Sequence, residues 1–126
     1  MGATTQSVLS LSQSDEVALK EFIKRLKQQF GDRIEHVWLF GSKVRGDADA
    51  ESDTDLLIIV RRADWDLQKA ITQLAFQVDM AYRTVLSPHI VDRQRFAQMK
   101  TRREPLYSNI MAEGMDLWTL EPVATI

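Results

Sequence analysis

Two carboxylates, Asp53 and Asp55, flank Thr54 at what reads as the start of a strand, and a Gly41-Ser42 pair closes the apolar run before it. Side chains two apart on a strand share a face, so both acids point the same way. Like charges held that close repel unless a cation lies between them. Hard oxygen ligands of this kind select Mg²⁺ or Mn²⁺, and magnesium commonly joins one or two carboxylates to substrate phosphates. Gly41 lets the backbone turn sharply and come close to a ligand. Ser42 follows at a helix start, where amide N–H groups and a hydroxyl suit an anion. Arg45 can add charge-assisted hydrogen bonds to the same phosphates. Taken singly, these residues read as a turn, a cap or solvated loop, and a surface cation. The weight lies in their conjunction within residues 41–56.

The flanking elements must hold these groups together. Ser12 and Asp15 resemble a capping box. Leu19, Phe22, Ile23, Leu26 and Phe30 then follow helical spacing, which predicts a helix over 13–30 stopped by Gly31. Residues 34–40 form a short apolar run and predict a buried strand. The polar stretch 41–52 is loop with at most one helical turn, and the aliphatic, β-branched residues 54–60 predict a second strand. Asp66 is placed to cap a helix reaching Arg83, with Leu67, Ile71, Leu74, Ala75 and Val78 on one face. Residues 84–91 predict a third strand, which Pro88 confines to an edge or bulge. Asp92 caps a short helix bearing Phe96 and Met99. Pro105 starts another, Gly114 ends it, and residues 115–120 form a short extended tail. This order predicts one α/β (α+β) domain over 12–126, a short mixed sheet flanked by helices, behind a loose arm at 1–11.

Composition narrows the partners. The chain has 126 residues, with 16 Lys plus Arg against 18 Asp plus Glu and a formal net charge of -2. That balance offers no electrostatic reason for a long nucleic-acid partner. The basic cluster of Arg93, Arg95, Lys100, Arg102 and Arg103 lacks interleaved aromatics, so it reads as solvated helix ends before it reads as a contact surface. The absence of cysteine excludes disulfides and thiolate chemistry and fits a reducing cytoplasm. No apolar run approaches the length of a membrane span, and no signal-peptide pattern opens the chain. Trp38 and Phe40 read as core and Trp65 as partly exposed. Trp118 reads as docked to the domain or at a subunit interface, and Met80, Met99, Met111 and Met115 as core filler.

The segment 41–56 resembles the signature of the minimal nucleotidyltransferases of the polymerase-beta-like superfamily. Gly41, Ser42, Arg45, Gly46, Ala48, Ser52, Asp53, Asp55 and Leu56 match its fixed positions. The helix–strand–loop–strand–helix–strand order around it is similar too. The resemblance implies a nucleotide-binding set of Gly41, Ser42, Arg45 and Ser52, with Asp53 and Asp55 as catalytic residues that bind Mg²⁺ (or Mn²⁺). It implies transfer of NMP, AMP from ATP first among NTPs, to a protein or small-molecule acceptor such as an aminoglycoside. A short stand-alone domain of this kind implies an acceptor site completed by a homodimer mate or a second protein, such as a HEPN-type toxin–antitoxin partner.

One part of the family pattern is missing. Active members carry a third carboxylate on the next strand, facing the pair. Here residues 84–91 contain no Asp or Glu, and Val85 or Ser87 stands in its place. Three readings stay open. His89, Asp79 or Asp92 substitutes for it; the domain binds nucleotide and metal without efficient transfer and acts by contact; or a partner or the substrate supplies the base. His89 has the right ordinary pKa range for a base. Asp79 falls on a helix and Asp92 at a cap.

Overall fold

Ile58 sits on the central strand of the sheet, buried like its neighbours on either side. In the computed structural model, which describes residues 11–46 and 53–118, β2 (Thr54–Val60) is buried from Leu56 to Val60. A strand covered on both faces needs an unbroken aliphatic run, and Leu56-Leu57-Ile58-Ile59-Val60 supplies it. β1 (Ile34–Phe40) pairs with β2 antiparallel, β3 (Leu86–Asp92) pairs with β2 parallel, and the two-residue β4 (Met115–Asp116) pairs with β1 antiparallel. The sheet order is β3-β2-β1-β4. β3 is therefore an edge, which is where Pro88 is tolerated.

Two helices cover one face. α1 (Gln13–Phe30) and α3 (Trp65–Tyr82) bury Phe22, Leu26, Ile71 and Val78 against Val37, Leu39, Leu56, Ile58 and Val60. α4 (Arg93–Thr101) and α5 (Pro105–Glu113) cover the other, where Ile110, Phe96 and Leu106 pack with Leu57, Ile59, Trp38 and Phe40. The alternation of β2 side chains decides which cover each residue meets.

The helix starts follow side-chain chemistry. Ser12 Oγ accepts from Asp15 N at 3.0 Å, and the Asp15 carboxylate accepts from Ser12 N at 3.3 Å, so the capping box forms. Asp92 accepts from Arg95 N at 2.8 Å and caps α4, and Pro105 takes the first turn of α5. Asp64, not Asp66, caps α3, accepting from Leu67 N at 2.7 Å. Gly31 does not end α1 in a left-handed turn. It keeps φ at -42° and carries the chain into a short 3-10 turn, Gly31–Arg33. Met99 is buried, whereas Met80 and Met111 are exposed and do not fill core. Trp118 lies under the Lys27 ammonium, 4.9 Å from the ring centre, and docks on the domain. No helix among the described residues is long and apolar enough to cross a membrane.

Candidate nucleotide site

The antiparallel register of β1 with β2 sets Phe40 opposite Asp55, so Gly41 leaves the sheet directly beside that carboxylate. Gly41 has φ of +86°, in the region that favours glycine. A Cβ there would lie 2.5 Å from Asp55 Oδ2, so the site has room for backbone and none for a side chain. α2 (Ser42–Arg45) is a single turn. Its first amide–carbonyl bonds are those of Val44 and Arg45 to Gly41 O, at 3.1 and 3.2 Å, so Ser42 and Lys43 precede them. Gly46, with φ of +83°, closes the turn through its amide to Ser42 O at 3.0 Å.

Asp53 is exposed and Asp55 half-buried at the same end of β2. Burial raises the Asp55 carboxyl above its ordinary value; His89 pulls it down, Asp53 pushes it up, and Arg45 pulls it down. The net direction is upward. Asp53, Asp55, Arg45 and His89 thus share one electrostatic environment beside Gly41. Ser52 lies outside the described residues, as does Ala48 of the signature.

The parallel register of β2 with β3 pairs Asp55 with Ser87 and Leu57 with His89. Cross-strand neighbours share a face, so a hydroxyl faces the acids where the third carboxylate is expected. Val85 is exposed before β3 begins, and its carbonyl accepts from Thr54 N at 2.9 Å. His89 lies one strand step farther along, its ring 5.8 Å from that of Phe40. Asp79 and Asp92 are committed elsewhere. Asp79 Oδ1 accepts from Leu86 N and Thr84 Oγ1, each at 2.9 Å, tying α3 to β3, and burial raises its carboxyl from the ordinary value. Asp92 is the α4 cap.

Lys43 carries a role its position in the motif does not announce. It is fully buried, and its Nζ lies 2.9 Å from Asp15 Oδ2, which also belongs to the α1 capping box. The ion pair fastens the turn to the start of α1. Only the capping box hinted at Asp15, and no spacing rule connects it with a lysine so far along the chain. On the solvent side, Arg45 Nη1 lies 3.2 Å from Glu113 Oε1 of α5.

A nucleotidyltransferase domain model matches residues 19–104, which include β1, the turn, β2 and β3. The chain belongs to the nucleotidyltransferase domain family. The chain is 32% identical over 105 residues to a Methanocaldococcus jannaschii protein named "Putative protein adenylyltransferase", covering 83% of this chain and 99% of that one. A second such protein of that organism is 38% identical over 73 residues, covering 57% of this chain and 74% of the other. Among solved structures, a toxin–antitoxin structure with AMP-PNP is similar at a TM-score of 0.52 and 20% identity, with 79% of this chain and 72% of that chain covered. A mutant of the toxin–antitoxin pair MntA-HpeT gives 0.50 and 20%, covering 79% and 71%. These two establish the shared fold.

The family uses a divalent metal, and the residues here suit one. Asp53 and Asp55 offer hard carboxylate oxygens at the same end of β2, and the repulsion by which Asp53 raises the Asp55 carboxyl is what a divalent cation would relieve. Among the described residues no cluster of three or more His, Asp or Glu forms a complete protein cage.

Proposed function

We propose that this nucleotidyltransferase moves the NMP unit of an NTP, with ATP as donor, onto a hydroxyl of a protein acceptor. Asp53 and Asp55 hold Mg²⁺ or Mn²⁺, Gly41 and Ser42 receive phosphate, and Arg45 neutralises phosphate charge. The observation that carries the reading is the approach of the Gly41 backbone to the Asp55 carboxylate, with Asp53 and Arg45 beside it. The ion supplies charge neutralisation and alignment of the phosphates. The acceptor oxygen attacks the α-phosphorus, the bond to the bridging oxygen breaks, and pyrophosphate leaves. Gly41 admits the phosphate by having no side chain. Lys43, bound to Asp15, holds the turn still. In this reading His89, the next residue along β3 on the face of Ser87, takes the acceptor proton.

Support for a protein acceptor comes from the relatives' names as protein adenylyltransferases and from toxin–antitoxin structures with this fold. A HEPN-type protein, where the neighbouring gene encodes one, is the first acceptor to try. Incubating the full chain with α-³²P-labelled ATP, Mg²⁺ and that neighbouring protein tests the proposal. Label on the neighbour that is lost in Asp53→Ala supports it. Absence of label under conditions where ATP and Mg²⁺ raise the melting temperature rejects transfer while keeping nucleotide binding.

A second reading has its own observation. Ser87, not a carboxylate, pairs with Asp55. The domain would then bind NTP and metal and act on its partner by contact. A stable, unlabelled complex distinguishes this reading from the first.

A further inference from the structure

The outward side of α3 carries large apolar groups that the fold does not cover. Trp65 is 74%, Phe76 63% and Met80 68% exposed, while Leu67, Ile71, Leu74, Ala75 and Val78 of the same helix are buried. With Lys69 and Thr72, these three residues follow helical spacing and form one stripe along the helix. A groove of about 230 Å³ runs beside Trp65, lined by Gln68, Lys69, Thr72 and Gln73.

The order of residues along α3 is nearly the same read from either end. About a centre between Thr72 and Gln73, Trp65 corresponds to Met80, Asp66 to Asp79, Leu67 to Val78, Gln68 to Gln77, Ala70 to Ala75 and Ile71 to Leu74. The one pair of unlike class is Lys69 with Phe76. In an antiparallel two-fold pairing this order sets residues of like class opposite each other, apolar against apolar at Trp65 and Met80, and sets Lys69 opposite Phe76.

We propose that the α3 stripe is the two-fold contact of a homodimer of this chain, with α3 antiparallel to the partner's α3 and the axis passing between Thr72 and Gln73. The pairing sets Trp65 on Met80 of the partner subunit. It brings the Lys69 ammonium over the ring of the partner's Phe76, an attraction of cation and aromatic face. No like charges meet along the stripe. Asp66 and Asp79 flank it, and Asp79 is turned back to Leu86 N and Thr84 Oγ1. Two aromatic side chains from each copy, 74% and 63% exposed and at about 150–250 Å² per fully covered ring, supply about a third of the 1,200–2,000 Å² that a stable interface buries. Gln68, Gln73, Gln77 and the methionines form the remainder. A contact of that size gives a dimer that dissociates on dilution.

The stripe lies on the α1/α3 side of the sheet, whereas Asp55 alternates onto the face of Leu57 and Ile59. The contact therefore does not draw on the Asp55 face of β2.

Sedimentation velocity of the full chain over a dilution series tests the contact. The wild-type chain should pass from dimer to monomer on dilution, and Asp53→Ala should do the same. Phe76→Lys sets an ammonium against the partner's Lys69 and should be monomeric throughout, with the circular dichroism of the wild type because Phe76 is exposed. The double change Lys69→Glu with Phe76→Lys sets opposite charges across the axis and should bring the dimer back. A wild-type chain that stays monomeric, or a Phe76→Lys variant as dimeric as the wild type, overturns the proposal. So does a double variant that stays monomeric.

Discussion

Gly41 and Asp55 meet so closely that the missing Cβ of one is the space occupied by the carboxylate of the other. The contact joins the end of β1 to the start of β2, and it rests on the antiparallel register that sets Phe40 opposite Asp55. Both steric demands on residue 41, the left-handed φ and the close approach, fall on the same atom.

Gly41→Ala should therefore damage binding and stability together. A non-glycine residue in such a conformation costs about 1–3 kcal/mol. The added methyl also displaces the Asp55 carboxylate. Differential scanning fluorimetry should show a lower melting temperature and little further rise with Mg²⁺ and ATP. Nucleotide at 100 times its dissociation constant should stabilise the wild type by about 2.7 kcal/mol. A Gly41→Ala protein that keeps the full ligand-induced rise would show that the turn does not receive phosphate.

Asp55→Asn should make the ligand-free protein more stable at neutral pH. The folded-state pKa of Asp55 is raised, so the folded state binds its proton more tightly than the unfolded chain does. Ionisation then favours unfolding, and stability falls as pH rises from the unfolded value of 3.8 through the raised one. The amide removes that loss. Melting temperatures of the two proteins should converge below pH 3.8 and separate above it, with Asp55→Asn the higher. Asp79 shifts in the same direction but is present in both proteins, so it cancels in the difference. Asp55→Asn should also lose the stabilisation by Mg²⁺ and ATP.

Ser87→Asp should restore the third carboxylate opposite Asp55. A positioned base contributes about 10²–10⁴-fold to a reaction of this kind. The initial rate of label transfer should rise by at least the lower of these factors. The ligand-free melting temperature should fall, because three carboxylates then crowd one face, and Mg²⁺ should recover it. An unchanged transfer rate would remove β3 from the reacting surface.

Lys43→Met should be severely destabilising. The change leaves Asp15 buried beside an apolar chain, and breaking a buried ion pair costs about 3–5 kcal/mol. Replacing both partners, with Asp15→Leu added, removes the stranded charge and should recover part of the loss. Urea denaturation of the two variants measures both effects. A Lys43→Met protein as stable as the wild type would mean that the pair does not fasten the turn to α1.

Much of this architecture can be read from residue types. The apolar run Leu56–Val60 suits a strand covered on both sides, and Pro88 suits the edge. The capping box at Ser12 and the caps at Asp92 and Pro105 follow from local chemistry that survives in the folded chain. Where local signals nearly coincide, they mislead. Asp64 and Asp66 are equally suited to start α3, and the hydrogen bond to Leu67 N decides between them. Met80 and Met111 look like core because methionine is apolar, but the helix phase turns both outward. The meeting of Lys43 with Asp15 depends on how α1 lies across the sheet. The pairing of Ser87, and not Val85, with Asp55 depends on strand register. Neither is a property of neighbouring residues.

β4 is only two residues long, yet it closes an edge. Met115 and Asp116 pair with Leu39 and Trp38, Leu117 N donates to Val37 O, and Trp118 stacks on Lys27. During synthesis β1 therefore waits for its outer neighbour until residues 115–118 have left the ribosome. In the meantime a nascent chain shows an unpaired margin along β1, the strand that leads into the Gly41-Ser42 turn.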